Sequence, residues 1–275
     1  MTRCGLCFHR CQLEEGQKGI CQARSCKDGR IVCDSYGLIT SLALDPIEKK
    51  PLKRFHPGSL ILSLGGYGCN LRCPFCQNDF ISMDDGTGVP LRRASPEALA
   101  ELSVQLAPEG NIGLAYTYNE PTVAYEYVLD CARAVHERGQ YNVLVTNGSL
   151  LVEPLRKLLP YMDAMNVDLK AFTQAYYRWL GGDLETVKDF IAVSFDGGCH
   201  VEVTTLIVPG KNDSDEEIDA LAGWLASVSP EIPLHISRYF PHARTLDIPA
   251  TPVATVYRLA GVAQAHLKYV YTGNC

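Results

Sequence analysis

Cys69-Asn-Leu-Arg-Cys73-Pro-Phe-Cys76 sets three thiols in one short loop at C-x3-C-x2-C spacing, directly behind the glycine-rich run Gly65-Gly66-Tyr67-Gly68. A tight loop of this kind folds three thiolates around one face of a cubane iron–sulfur cluster. Clusters of that type ordinarily take four cysteines. Three leave one iron without a protein ligand, and an open coordination position is where a metal site does chemistry. The competing readings are a zinc site or three buried cysteines. The spacing lacks the paired pattern usual for zinc.

A second set stands at the N-terminus. Cys4, Cys7, Cys11 and Cys21 offer four soft ligands within eighteen residues, with His9 between them and Cys26 and Cys33 following across a Lys-Asp-Gly turn. Four thiolates complete either a tetrahedral zinc site or a closed 4Fe-4S cluster, and the spacing does not separate the two. The first 33 residues carry six basic and three acidic side chains, an excess that would balance a negative metal–thiolate group. They hold few large apolar residues, so a metal would have to organise them.

These ligands need a frame. Residues 1–33 read as a Cys-rich metal-binding lobe, 34–59 as a proline-punctuated connector, and 60–275 as the main domain. From Leu60 onward, aliphatic and β-branched runs predict strands at 60–64, 112–117, 142–146, 164–169, 200–208 and 234–237. Between them lie helical stretches. Ser95-Pro96 is a helix start, residues 122–138 follow helical periodicity as far as Gly139, and residues 213–227 open with acids suited to a helix N-terminus. Repeated strand–helix alternation predicts a parallel α/β sheet, curved into a partial (β/α)6 TIM-like barrel, because a full eight-fold barrel usually takes about 250 residues. In such sheets ligands bind at the carboxyl ends of strands. The polar runs GGYGCN, YNEP, TNG, DLK, VPGKND and RYFPH all fall there, which predicts one shared active site.

Composition narrows the class. The chain has 275 residues and 12 cysteines, with 47% hydrophobic and 20% charged residues, so it predicts a folded domain with its own core rather than a disulfide scaffold. The net charge is −6 and no Lys/Arg-rich run occurs, which argues against nucleic-acid binding. No apolar stretch is long enough to span a membrane, and the opening MTRCGLC lacks an apolar signal core. A cytoplasmic location follows as an expectation, since thiols persist there.

The three-cysteine loop resembles the signature of radical S-adenosylmethionine (SAM) enzymes. YGLITSLALDPIEKKPLKRFHPGS, GCNLRCPFCQNDFIS, AYTYNEPTVAYEYV, VTNG, NVDLKAF and HISRYFP extend the likeness over nearly the whole chain. They resemble the radical SAM member of the AmmeMemoRadiSam system, which is related to the pyruvate formate-lyase activating enzyme. The resemblance implies that a 4Fe-4S cluster on Cys69, Cys73 and Cys76 reductively cleaves SAM. The 5′-deoxyadenosyl radical so formed takes hydrogen from a protein or peptide, as in activation of a glycyl-radical enzyme. It also implies an external electron donor of flavodoxin or ferredoxin type. Two alternatives are radical modification of a small metabolite in a multi-component pathway, and a non-enzymatic Fe-S or zinc-binding protein.

The same resemblance assigns supporting residues. Tyr118, Asn119 and Glu120 stand where relatives bind the SAM ammonium, and carboxylate and carboxamide oxygens suit that task. The plainer reading of Glu120 is a helix N-terminal acid. Thr146, Asn147, Asp168 and Lys170 match strand-end motifs that approach SAM and its carboxylate. The plainer readings are a helix cap for Asp168 and a solvated lysine for Lys170. His235 and Arg238, read as sharing one face of the sixth strand, are candidates for binding the nucleoside or a substrate anion. The resemblance makes Cys4, Cys7, Cys11 and Cys21 the auxiliary set. Val145 replaces an aspartate of the activating enzymes, which argues against carrying over a cation site from them, and Thr204-Thr205 stands where they carry an arginine, which weakens a direct activase assignment.

Overall fold

A computed structural model describes residues 1–275. The six expected strands all form, each within a residue of its expected limits. Two further strands flank them. The sheet has eight strands in chain order: β1 (Ser41–Pro46), β2 (Leu60–Gly65), β3 (Asn111–Tyr116), β4 (Tyr141–Thr146), β5 (Ala164–Asp168), β6 (His200–Ile207), β7 (Leu234–Arg238) and β8 (Val270–Gly273). Spatial order follows sequence order. β2 to β8 are parallel, and β1 pairs antiparallel with β2 through Ser41–Gly65 to Pro46–Leu60. The two edge strands do not pair, so the sheet is open.

Helices cross between the parallel strands: α1 (Pro96–Gln105), α2 (Tyr125–His136), α3 (Val152–Leu158), α4 (Gln174–Leu180), α5 (Leu184–Asp196), α6 (Asp215–Val228) and α7 (Val253–Ala263). Their ends follow local chemistry. Ser95 caps α1 by accepting from Ala98 N, with Pro96 in the first turn. Ser214 caps α6 by accepting from Glu217 N, ahead of three acids in the first turn.

Strand periodicity sorts the core onto two faces. Leu62, Leu64, Leu114, Leu144 and Val167 join a 42-residue cluster with the helices. Ile61, Ala115, Val143 and Ala164 face the other way and pack against Ile47 and Leu52. The stretch from Pro46 to Ser59, within the segment expected as a connector, therefore fills the inner face. Glu202 pins it there. This fully buried carboxylate accepts from the backbone N–H groups of Lys53 (3.0 Å) and Arg54 (2.7 Å). His200 Nε2 (3.0 Å) and His235 Nε2 (2.6 Å) donate to the same carboxylate. Nothing in the hydrophobic pattern shows that the connector turns back into the sheet.

The N-terminal lobe consists of two small antiparallel pairs, Thr2–Arg3 with Gln12–Leu13 and Arg24–Lys27 with Arg30–Cys33. It is clamped to the domain by Arg24, whose guanidinium forks onto Glu126 with two 2.6 Å bonds. Backbone contact is closest at Gly68, where a Cβ would lie 2.4 Å from Cys21 O. Only glycine fits there, and its φ of +83° favours glycine as well.

Candidate active site

The loop after β2 carries the three cysteines. Cys69, Cys73 and Cys76 line one open cavity of about 1210 Å³. The same cavity is bordered by Tyr118, Asn119 and Glu120 after β3, by Thr146 and Asn147 at β4, and by Asp168 and Lys170 at β5. The structure thus brings together every expected residue of the central site except His235 and Arg238.

Burial pushes the Cys69 thiol well above its ordinary pKa and the Cys73 thiol up to about 11. Neighbouring thiols and Glu120 add to the effect at Cys69. Such groups resist ionising alone and become thiolates when a metal supplies the balancing charge. Donors already face the sulfur. Leu71 N lies 3.3 Å from Cys69 Sγ, and Asn147 Nδ2 lies 3.7 Å from it. Hydrogen bonds to sulfur are a means by which proteins tune such centres. The donor set therefore fits an iron–sulfur cluster with one iron left open.

The YNEP residues are largely engaged in construction. Asn119 ties down the glycine-rich loop from both ends of its amide, accepting from Gly66 N (3.0 Å) and donating to Gly68 O (2.9 Å). Glu120 is buried and accepts from Thr122 N (3.0 Å), Thr122 Oγ1 (2.5 Å), Thr146 Oγ1 (2.8 Å) and Asn147 N (2.7 Å). It caps the short 3-10 turn Pro121–Ala124 and joins the ends of β3 and β4. Burial raises its pKa, with the four donors opposing. A carboxylate has about four acceptor positions, so Glu120 is fully subscribed. Its geometry is that of a positioning residue.

Lys170 Nζ lies 2.9 Å from Asp168 Oδ2 at the cavity wall. Asp168 and Cys73 raise the Lys170 pKa against desolvation, so the ammonium persists. Lys170 is thus a partly buried cation aimed at the site rather than a solvated surface lysine.

His235 and Arg238 need correction. Residues three apart on a strand face opposite sides, because side chains alternate with period two. His235 lies deeper in the sheet, donating to Glu202 and stacked on Tyr271 with ring centroids 5.3 Å apart. Arg238 donates from Nε to Thr251 O at 2.7 Å and covers the Phe240 ring at 4.7 Å. Neither lines the cavity. Ser237, between them, does.

Sequence reasoning missed one part of the cavity wall. Lys49 and Lys50 line the cavity from the segment that follows β1. The KK pair in DPIEKKPL was the available signal, but it lies in the stretch read as a connector.

In the N-terminal lobe, Cys4, Cys7, Cys11 and Cys21 line a second, small cavity together with His9 and Asn70. Cys26 and Cys33 do not border it. Burial pushes the Cys7 thiol up to about 11 and raises Cys21. In neither set do three ligands close to the spacing of a single metal ion. Cys131 and Cys199 are buried thiols of the main core.

A parallel α/β sheet with a three-thiol loop after its first parallel strand, facing polar strand ends across one cavity, defines a cluster-binding enzyme fold. Residues 64–225 match the radical SAM superfamily, and the chain belongs to that family. It is 39% identical, across 99% of its length and 81% of the relative's, to an uncharacterized protein of Methanocaldococcus jannaschii. It is 24% identical to the pyruvate formate-lyase-activating enzyme of Clostridium pasteurianum, over 58% of this chain and 67% of that one. Among solved structures, Streptococcus suis SuiB bound to S-adenosylmethionine superposes with a TM-score of 0.60 at 16% identity, over 76% of this chain and 48% of SuiB. A domain of the pyruvate-formate lyase-activating enzyme from Bacteroides vulgatus superposes with a TM-score of 0.53 at 13% identity, over 59% of this chain and 99% of that domain. These likenesses share the fold. Family membership implies a 4Fe-4S cluster and SAM. No helix is long and apolar enough to cross a membrane.

Proposed function

We propose that the chain is a radical SAM enzyme of activating-enzyme type that abstracts hydrogen from a protein or peptide substrate. Cys69, Cys73 and Cys76 hold its 4Fe-4S cluster. When bound, cluster and SAM supply an electron and a 5′-deoxyadenosyl radical that removes the hydrogen atom. One observation carries the reading: three thiols of a single loop open onto the cavity shared by the ends of β3, β4 and β5. Lys170, held by Asp168, is placed to pair with the SAM carboxylate. Thr146 and Asn147 border the same space. Asn119 and Glu120 fix the loops that present these groups. An electron donor of flavodoxin or ferredoxin type completes the system.

The N-terminal lobe holds a second 4Fe-4S cluster on Cys4, Cys7, Cys11 and Cys21 in this reading. Its support is that these four thiols stand around one common space, to which Cys26 and Cys33 do not contribute.

The test is anaerobic reconstitution, iron and zinc counting, and assay of 5′-deoxyadenosine with SAM and a strong reductant. Wild-type protein forms 5′-deoxyadenosine and Cys73→Ala does not. Iron-loaded wild-type protein that forms none overturns the proposal.

A further inference from the structure

The wall of the cysteine-lined cavity carries an ion group that the function above does not use. Lys50 is only 2% exposed, yet it borders the cavity. Its Nζ lies 2.9 Å from Asp45 Oδ2 and 4.9 Å from the centre of the Tyr118 ring. Asp45 also accepts from Tyr118 Oη at 2.7 Å and pairs with the exposed Lys49 at 3.4 Å. Burying an ammonium is expensive, and a buried ion pair is weak evidence of a stabilising purpose.

The backbone has been shaped to build this group. Tyr118 has φ +73°, a left-handed conformation unusual for a non-glycine residue, which stores strain of order 1 kcal/mol or more. Its ring passes so close to β2 that a Cβ on Gly65 would lie 2.8 Å from Tyr118 Cδ2. Strain held in place by its surroundings tends to cluster at ligand sites.

Charge names the ligand. Lys49 and Lys50 against Asp45 leave one uncompensated positive charge at the cavity wall. A carboxylate would neutralise it, whereas a phosphate group, at about −1.5 to −2 near pH 7, would overshoot. Asp45 itself already shows that a carboxylate fits between the two ammonium groups and the phenol. From this geometry we infer that Lys50, with Lys49, forms a subsite for a free carboxylate of the substrate, each ammonium keeping N–H donors beyond its bond to Asp45, whereas Tyr118 spends its one proton on Asp45. The inference rests on the radical SAM reading and adds the chemistry of what is recognised. A peptide C-terminus or a small carboxylic acid would supply the group.

Lys49, the exposed member of the pair, can be watched directly by its reaction with an amine-acetylating reagent, read by peptide mass spectrometry on reconstituted protein. The probes are N-acetylglycine, its neutral counterpart N-acetylglycinamide, propionate and inorganic phosphate. N-acetylglycine is expected to slow Lys49 modification at least fivefold and N-acetylglycinamide less than twofold. Protection by propionate equal to that by N-acetylglycine identifies a small acid as the source. Stronger protection by N-acetylglycine identifies a peptide terminus. Lys50→Met is expected to weaken that protection at least threefold. The carboxylate-induced rise in melting temperature should vanish in Lys50→Met and survive in Lys50→Arg. Equal protection by acid and amide, absence of protection by either carboxylate, or stronger protection by phosphate overturns the inference. The footprint needs no SAM cleavage, so 5′-deoxyadenosine formation by wild-type protein judges the radical reading separately.

Discussion

Asn147 donates its side-chain amide to Asn70 Oδ1 at 2.8 Å. Asn70 follows Cys69 directly, borders the N-terminal cysteine cavity, and accepts from His9 Nε2 through its carbonyl at 2.7 Å. Asn70 and Asn147 therefore link the surroundings of the two cysteine sets at the end of β4.

Asn147→Ala removes both this bond and the donor 3.7 Å from Cys69 Sγ. Loss of an outer partner of a metal ligand costs about 10–100-fold in affinity or activity. We expect 5′-deoxyadenosine formation to fall by that order while iron content changes little. A rate within twofold of wild type would remove Asn147 from the site.

Metal content separates the two sites. Reconstituted protein should bind roughly eight irons per chain, four for each cluster. Cys11→Ser should lower this to roughly four and leave the spectrum of the three-cysteine cluster in place. One zinc and four irons would make the lobe structural.

Glu202 links stability to acid. Burial raises its pKa, but the donors from His200, His235, Lys53 and Arg54 outweigh this and hold the carboxyl at about 2, against an ordinary 4.5. A depressed folded-state pKa contributes stability that is present above the unfolded value and lost as pH falls through the folded one. The window is therefore about pH 4.5 down to about 2, and the contribution is on the order of 3 kcal/mol. Urea midpoints measured across that window should fall more steeply for wild type than for Glu202→Gln, which starts lower. Parallel curves would contradict the assignment.

Gly65→Ala should destabilise by about 1–3 kcal/mol, because its methyl would meet the Tyr118 ring. Adding Tyr118→Ala should recover most of the loss. Additive effects in that double-mutant cycle would show that the two residues do not interact.

Much of the fold was legible because buried parallel strands and capped helices leave local marks. The run LILSL and the Ser95-Pro96 start are examples. The cysteine sets were legible because ligands of one centre sit close in sequence. The Lys50 wall was not. Its members, Asp45, Lys50, Gly65 and Tyr118, come from separate elements and meet only through the antiparallel return of β1. The misreading of His235 and Arg238 was a fault of periodicity. Their partners, Glu202 and Thr251, are unrelated to them in sequence spacing.

The return of the Pro46–Ser59 stretch into the inner face has a consequence during translation. Lys53 N waits for a carboxylate 149 residues further along the chain. At ribosomal speeds of about 5–20 residues per second, that delay is roughly 7–30 s. For most of it, Ile47 and Leu52 have Ile61 early but lack Ala164. The nascent chain thus carries an uncovered apolar segment until β5 and β6 emerge, and holdase chaperones would find it there.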